Sequence, residues 1–257
     1  GGTGSLRVAA EFIKRANPSA SIWVTNPTWA NHFSIFKAAG LEVKEFPYFD
    51  FETMGLKFEE TVAALSQVPA GDVVLFHACC HNPSGMDLNL EQWQTVADIA
   101  KQQGFTFLID SAYQGFGAGL EQDAAGIRLL ANQVDQMIVS SSCSKNFGLY
   151  RERTGAISII GKDAVETEIA FSNALSVIRA IYSMPPAHGA DIVSTILGSE
   201  ELTALWHREL DEKRARINGL RSFIAKKFAE KGVPGNFDFI AQQNGMFSFL
   251  GIDKAAI

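Results

Sequence analysis

Short apolar runs recur along this chain and alternate with longer amphipathic stretches. Residues 21–25, 41–49, 73–77, 105–109, 136–139 and 155–160 read as strands, several of them apolar at successive positions. Such runs mark strands covered on both faces rather than half-exposed ones. Between them, 5–13, 31–39, 56–67 and 90–103 carry helical spacing, with Gly40 and Gly104 as stops. A glycine-rich turn, Gly1-Gly2-Thr3-Gly4, precedes the first helix. The chain from 164 to 189 is helical and then loops through Pro185-Pro186. Residues 200–231 form one long amphipathic helix bearing Trp206, Leu210, Ile217, Leu220, Ile224 and Phe228. Two more strands are expected at 237–240 and 246–249. This β-α-β rhythm predicts an α/β fold with a mostly parallel sheet and right-handed crossovers.

Composition narrows the class. The chain has 257 residues, 47% hydrophobic and 19% charged, which suits one large α/β domain or one plus part of a second. A net charge of -6 favours neither nucleic acid nor an anionic membrane as partner. No apolar run approaches the roughly 20 residues that span a bilayer. Cys79, Cys80 and Cys143 have neither zinc nor disulfide spacing and are expected as reduced thiols. The chain opens without an initiator Met or a targeting peptide, and a new helix is expected from Asp253 to its close, so it reads as the interior of a longer protein.

The candidate chemistry sits where buried strands end. Lys145, in Ser142-Cys143-Ser144-Lys145-Asn146-Phe147-Gly148, follows one such strand. Open α/β sheets keep their ligands at that edge. Partly desolvated, a lysine amine becomes a nucleophile able to form a Schiff base. A lone loop lysine is more often a solvated surface group, so its company decides. Asn82, before Pro83, ends the preceding strand, and Asp110 ends the next, with Tyr113 three residues on. Each alone has a plain reading: an Asn-Pro turn, an N-cap. A carboxylate at the end of a buried strand nevertheless needs a cation or donors. Arg153 can hold a phosphate bidentately, Ser142 and Ser144 add hydroxyls, and the helix start at Gly1–Gly4 offers free N–H groups. Trp29, just past a strand, is ordinary packing or a stacking surface. An Asp to pair with a pyridinium nitrogen plus a Schiff-base lysine is the minimal pyridoxal phosphate (PLP) site.

His81-Asn82-Pro83-Ser84-Gly85, Asp110-Ser111-Ala112-Tyr113-Gln114-Gly115-Phe116, Ser142 to Tyr150 and Arg153 resemble the class I aspartate/aromatic aminotransferase family, PLP fold type I. Asn26-Pro27-Thr28-Trp29, Pro185-Pro186-Ala187-His188-Gly189 and Gln243-Asn244-Gly245-Met246-Phe247-Ser248 match as well, and the likeness is nearest to the bacterial aspartate aminotransferase type. It implies a three-layer PLP-binding large domain over residues 1–199, incomplete at its amino terminus. Residues 200–257 would then be the helix linking to a small carboxy-terminal domain, and that domain's beginning. It implies pyridoxal 5'-phosphate as cofactor, amino acid and 2-oxo acid substrates, a homodimer and a cytoplasmic location. Lys145 would form the internal aldimine and shuttle the substrate proton. Asp110 would keep the ring nitrogen protonated, with His77 supporting it from behind. Tyr113 and Asn82 would bond the ring oxygen, and Trp29 would stack on the ring. Gly2, Thr3, Ser142, Ser144 and Arg153 would hold the phosphate. Arg179 matches the arginine that reaches into the neighbouring subunit and grips a dicarboxylate; read from the residues alone it is a helix-end dipole partner.

Two departures stand out. Ser84 replaces a Thr, and Met184, near Arg179, replaces an Asn, which bears on substrate preference. The family's arginine for the substrate α-carboxylate and its amino-terminal arm fall outside the chain. The expectation is therefore amino transfer between L-aspartate, or an aromatic amino acid, and 2-oxoglutarate by the whole protein. The alternatives are an aromatic aminotransferase or another fold type I PLP enzyme, or a piece that turns over little or nothing.

Overall fold

In the computed structural model the apolar runs form, in chain order, β1 (Ser21–Asn26), β2 (Glu42–Pro47), β3 (Phe49–Asp50), β4 (Gly55–Leu56), β5 (Val73–His77), β6 (Thr106–Ser111), β7 (Met137–Ser142) and β8 (Gly155–Ile160). Residues 1–252 are described, so the helix expected from Asp253 lies outside the described residues. Six strands make one sheet in the order β2-β1-β5-β6-β7-β8, while β3 and β4 form a small antiparallel ribbon. All neighbours in the large sheet run parallel except β7 and β8. The reversal has a local cause. The 143–154 connection contains no helix, and a parallel return needs a crossover that is usually helical.

Alternation along the strands builds two cores. Val73 and Leu75 of β5, Leu108 of β6 and Ile138 of β7 face one helical layer. That layer is α1 (Gly2–Ala16) and α2 (Asn31–Ala38), contributing Leu6, Ala9, Ile13, Ile35 and Phe36. Val74 and Phe76, Phe107 and Ile109, Met137 and Val139 face the other. There α3 (Phe58–Leu65), α4 (Leu90–Gln103) and, after the short α5 (Leu120–Asp123), α6 (Ala125–Ala131) supply Leu65, Trp93, Val96 and Leu130. The result is the expected three-layer arrangement. The α4 ends show why the chain turns where it does. Asn89 and Gln92 form a reciprocal capping box, and Gly104 closes the helix at φ +80°.

The carboxy-terminal third is helical: α7 (Ala164–Tyr182), α8 (His188–Leu197), α9 (Glu200–Glu230) and α10 (Phe239–Gln242). Here the two strands expected at 237–240 and 246–249 do not form. The first stretch turns into α10, and 246–249 begins in a bend at Met246 and pairs with no strand. Apolar alternation specifies a strand only where a neighbouring edge takes up its backbone groups. In this chain side chains take them up instead, with Arg221 on the carbonyls of Gly245 and Phe247 and Gln243 on that of Phe249. The glycine turn at the amino end is also revised, because α1 already begins at Gly2. Strand 41–49 is broken at Tyr48 into β2 and β3.

Candidate active site

Asp110 is the pivot. On β6 its neighbours Phe107 and Ile109 serve one core, and alternation sends Asp110, like Leu108, to the α1/α2 side. There it meets His32 in the first turn of α2. His32 Nε2 lies 3.1 Å from Asp110 Oδ2, and His32 Nδ1 lies 2.8 Å from Thr28 Oγ1. The other oxygen, Asp110 Oδ1, is buried and has no partner. Burial alone would raise this carboxyl's pKa. The His32 hydrogen bond comes first among the effects that outweigh burial, with the Lys145 charge also contributing, and the group is held below the usual carboxylate range. His77 lies beside the pair with both ring nitrogens unpartnered. Burial, then the nearby His32, brings its pKa down to about 3 against the pull of Asp110, so it is neutral. The hydrogen bond to Asp110 thus comes from His32, which the sequence reading passed over.

Lys145 and Tyr113 face each other across the cavity. Lys145 Nζ stands 4.5 Å from the centre of the Tyr113 ring. Burial lowers the lysine pKa and Arg153 adds to this, while Asp110 pulls the other way. Tyr113 is 5% exposed, and burial followed by the Asp110 charge pushes its phenol up to about 12. It therefore remains a donor throughout the physiological range. Asn82 Nδ2 donates to the Tyr113 hydroxyl at 3.4 Å. The Asn82–Pro83 bond is cis.

At the opposite end, α1 begins with no capping side chain and no acidic residue in its first turn. Gly2 packs so closely on β7 that an added Cβ would lie 3.2 Å from Ser142 Cβ. Ser142 Oγ accepts from the Ser144 N–H at 3.2 Å, and Arg153 Nη1 reaches Ser144 Oγ at 3.5 Å. Free helix N–H groups, two hydroxyls and a guanidinium form a cradle for a phosphate-like anion.

One cavity collects these groups. It is lined by Gly2, Thr3, Leu6, Trp29, His77, Asn82, Asp110, Ala112, Tyr113, Ser142, Ser144, Lys145, Tyr150 and Arg153. Every candidate residue from the sequence lies there except Arg179. That arginine sits in the last turn of α7, exposed, with Nη1 donating to Ser183 Oγ at 3.0 Å. His32, Thr28 and Tyr150 belong to the site's surroundings but were not singled out. The only sequence signal for His32 was its spacing from Trp29, three residues along a helix start, which places the rings together 5.3 Å apart. The site suits a flat molecule with an N–H donor at one end and an anion at the other, reachable by a lysine amine.

The three-layer α/β chain thus gathers a lysine, a carboxylate and an anion cradle at the sheet edge where open α/β sheets bind their ligands. The chain belongs to the aminotransferase class I and II family, whose sequence model matches residues 1–256. It is 52% identical over 254 residues to an aspartate aminotransferase of Salmonella typhi, covering 99% of this chain and 64% of that protein. It is 47% identical over 251 residues to an aromatic-amino-acid aminotransferase of Paracoccus denitrificans, covering 98% and 64%. A crystal structure of the aromatic-amino-acid aminotransferase from Burkholderia pseudomallei, covalently bound to pyridoxal phosphate, matches with a TM-score of 0.97 at 44% identity. That match covers 99% of this chain and 64% of that one. The chain thus spans 64% of the length of these relatives.

Proposed function

We propose that the whole protein is an aminotransferase using pyridoxal 5'-phosphate to move an amino group between L-aspartate, or an aromatic amino acid, and 2-oxoglutarate. One observation carries this reading: Asp110 Oδ1, buried without a partner, shares a cavity with Lys145 and an anion cradle. The residues fit the cofactor from end to end. Asp110 would meet the ring N–H, and Tyr113 with Asn82 would meet the ring oxygen. Trp29 would flank the ring face, while Gly2, Thr3, Ser142, Ser144 and Arg153 would hold the phosphate. When bound, the cofactor supplies an electron sink.

The rest is the work of the chain's own side chains. Burial shifts Lys145 towards its neutral amine, the form that would take a proton from the substrate Cα and return it. Asp110, its pKa lowered, is held as a carboxylate that would keep a ring nitrogen placed against it protonated. His32 fixes one carboxylate oxygen and leaves the other for the ligand. Tyr113 remains a hydrogen-bond donor. The protein works as a homodimer in the cytoplasm, and Arg179 of each subunit serves its neighbour's site by pairing with a second substrate carboxylate. Residues 1–199 act as the cofactor-binding unit, and α9 links it to a second one. Among the described residues, no helix is long and apolar enough to cross a membrane.

The test uses the full-length protein with PLP, an amino donor and 2-oxoglutarate. Expected are a visible-edge absorption band that shifts with pH and glutamate formation from aspartate. A wild type that binds PLP but releases carbon dioxide or ammonia would replace transamination with another fold type I chemistry. Faster turnover of phenylalanine than of aspartate would assign the aromatic preference.

A further inference from the structure

Residues 243–248, just after α10, brace two parts of the cavity wall. Asn244 N donates to Gly85 O at 2.6 Å, across from the loop that carries Asn82. The contact is close: a Cβ on Gly85 (φ +70°) would sit 2.9 Å from Phe247 O and 3.0 Å from Asn244 O. Asn244 Nδ2 also donates to Asp87 Oδ2 at 3.2 Å. That carboxylate accepts the N–H of Cys80 at 2.8 Å and of His81 at 2.9 Å, the residues leading into Asn82. On the other side, the Phe247 ring stands edge-on to Tyr113, 5.9 Å between centroids. The segment therefore touches Tyr113 directly and Asn82 through the loop that carries it.

Arg221 of α9 grips this segment. It is only 5% exposed. Its Nε donates to Ser248 Oγ at 3.0 Å, and its Nη2 donates to Phe247 O at 2.7 Å and to Gly245 O. Among the described residues no carboxylate forms an ion pair with it. Its Nη1 is buried without a partner among the described residues and Asp87 acts on it only from a distance, so the acceptors that hold this buried guanidinium all lie on one stretch of chain.

We propose that Arg221 is a positioning residue for the amino transfer inferred above, acting through Phe247 on Tyr113 and through Asn244 and Asp87 on the Asn82 loop. The proposal rests on that reading for its catalytic consequence, while the mechanical part stands on the contacts themselves. Loss of the grip frees segment 245–248, and the pair that faces the ring oxygen shifts with it.

The experiment compares the full-length wild type with Arg221→Met, which fills the space without donors, and Arg221→Lys, which keeps the charge without the fork. Hydrogen exchange is followed without PLP. In Arg221→Met it should rise at least about tenfold in 244–248 and in 80–85 together, with β6 and β7 unchanged. With PLP bound, the pH midpoint of its absorption change should move upward, since a ring oxygen that loses donors holds a proton harder. The kcat/KM should fall by about 10- to 100-fold, as misplacement remote from the chemistry does. Arg221→Lys should recover part of each effect, and it carries the test if the Met variant does not fold. Looser exchange confined to 244–248, or spread evenly over the protein, with an unmoved midpoint would overturn the proposal. A wild type that fails to bind PLP would overturn the proposed function instead, with the exchange arm still reading the grip.

Discussion

Asp110→Asn removes one charge and almost no volume, so it isolates electrostatics from packing. In the folded chain Oδ2 is held by His32 at 3.1 Å and Oδ1 has no partner among the described residues, so the free oxygen is the one available to a bound ring. A ring N–H donating to it would sit at hydrogen-bond distance, roughly 3 Å. Opposite unit charges that close, at an effective dielectric of about 20, attract by about 5 kcal/mol. A net charged hydrogen bond is worth about 1.5–3 kcal/mol. Taking about 3–5 kcal/mol as the loss and 1.36 kcal/mol per decade, kcat/KM should drop by about 10²–10⁴. PLP should still bind, because the anion cradle is untouched. Asp110→Glu keeps the charge and should cost far less. The assay is single-turnover transamination of aspartate by wild type and both variants, with cofactor content measured by absorbance. Equal losses for Asn and Glu would refute the argument and leave Asp110 with a purely structural task.

Two other outcomes follow from the same geometry. Arg179→Ala should lower kcat/KM for aspartate by roughly 30-fold to several thousand-fold, since a substrate carboxylate is left unpaired, and should leave phenylalanine within about threefold; parallel losses would reduce Arg179 to a helix-end partner of Ser183. Acid stability should depend on His77, whose pKa burial lowers to about 3. Below pH 6.5 the unfolded chain takes up a proton there that the folded chain refuses, so stability falls as pH drops from 6.5 towards 3. Its share is about 1.4 kcal/mol per pH unit. Urea unfolding at pH 6.5, 5.5 and 4.5 should therefore show a shallower decline in His77→Asn than in wild type, and parallel curves would contradict it.

Much of this was legible in the chain because burial and chain geometry speak through residue type. Buried runs at 73–77, 105–109 and 136–139 predicted parallel strands, and their ends put Asn82, Asp110 and Lys145 on one edge. What the chain did not disclose depends on neighbours remote in sequence. His32 looks like any helix residue until β6 brings Asp110 to it, 78 positions away. Phe237 to Ile240 alternates like a strand, yet no sheet edge lies beside it. Arg221 reads as a surface position of a charged helix, but segment 245–248 folds over it. Arg179 lies outside the cavity of its own chain, exposed late in α7 and bonded to Ser183.

We infer that Lys145 is the amine that engages the cofactor. Its neutral form is favoured by burial, and it stands over Tyr113 in the same cavity as Asp110 and the anion cradle. Borohydride reduction of the full-length protein with PLP, followed by peptide mapping, tests this directly. The label should fall on the peptide containing Lys145 and vanish in Lys145→Ala. A label on any other lysine, or one undiminished in Lys145→Ala, would contradict the account.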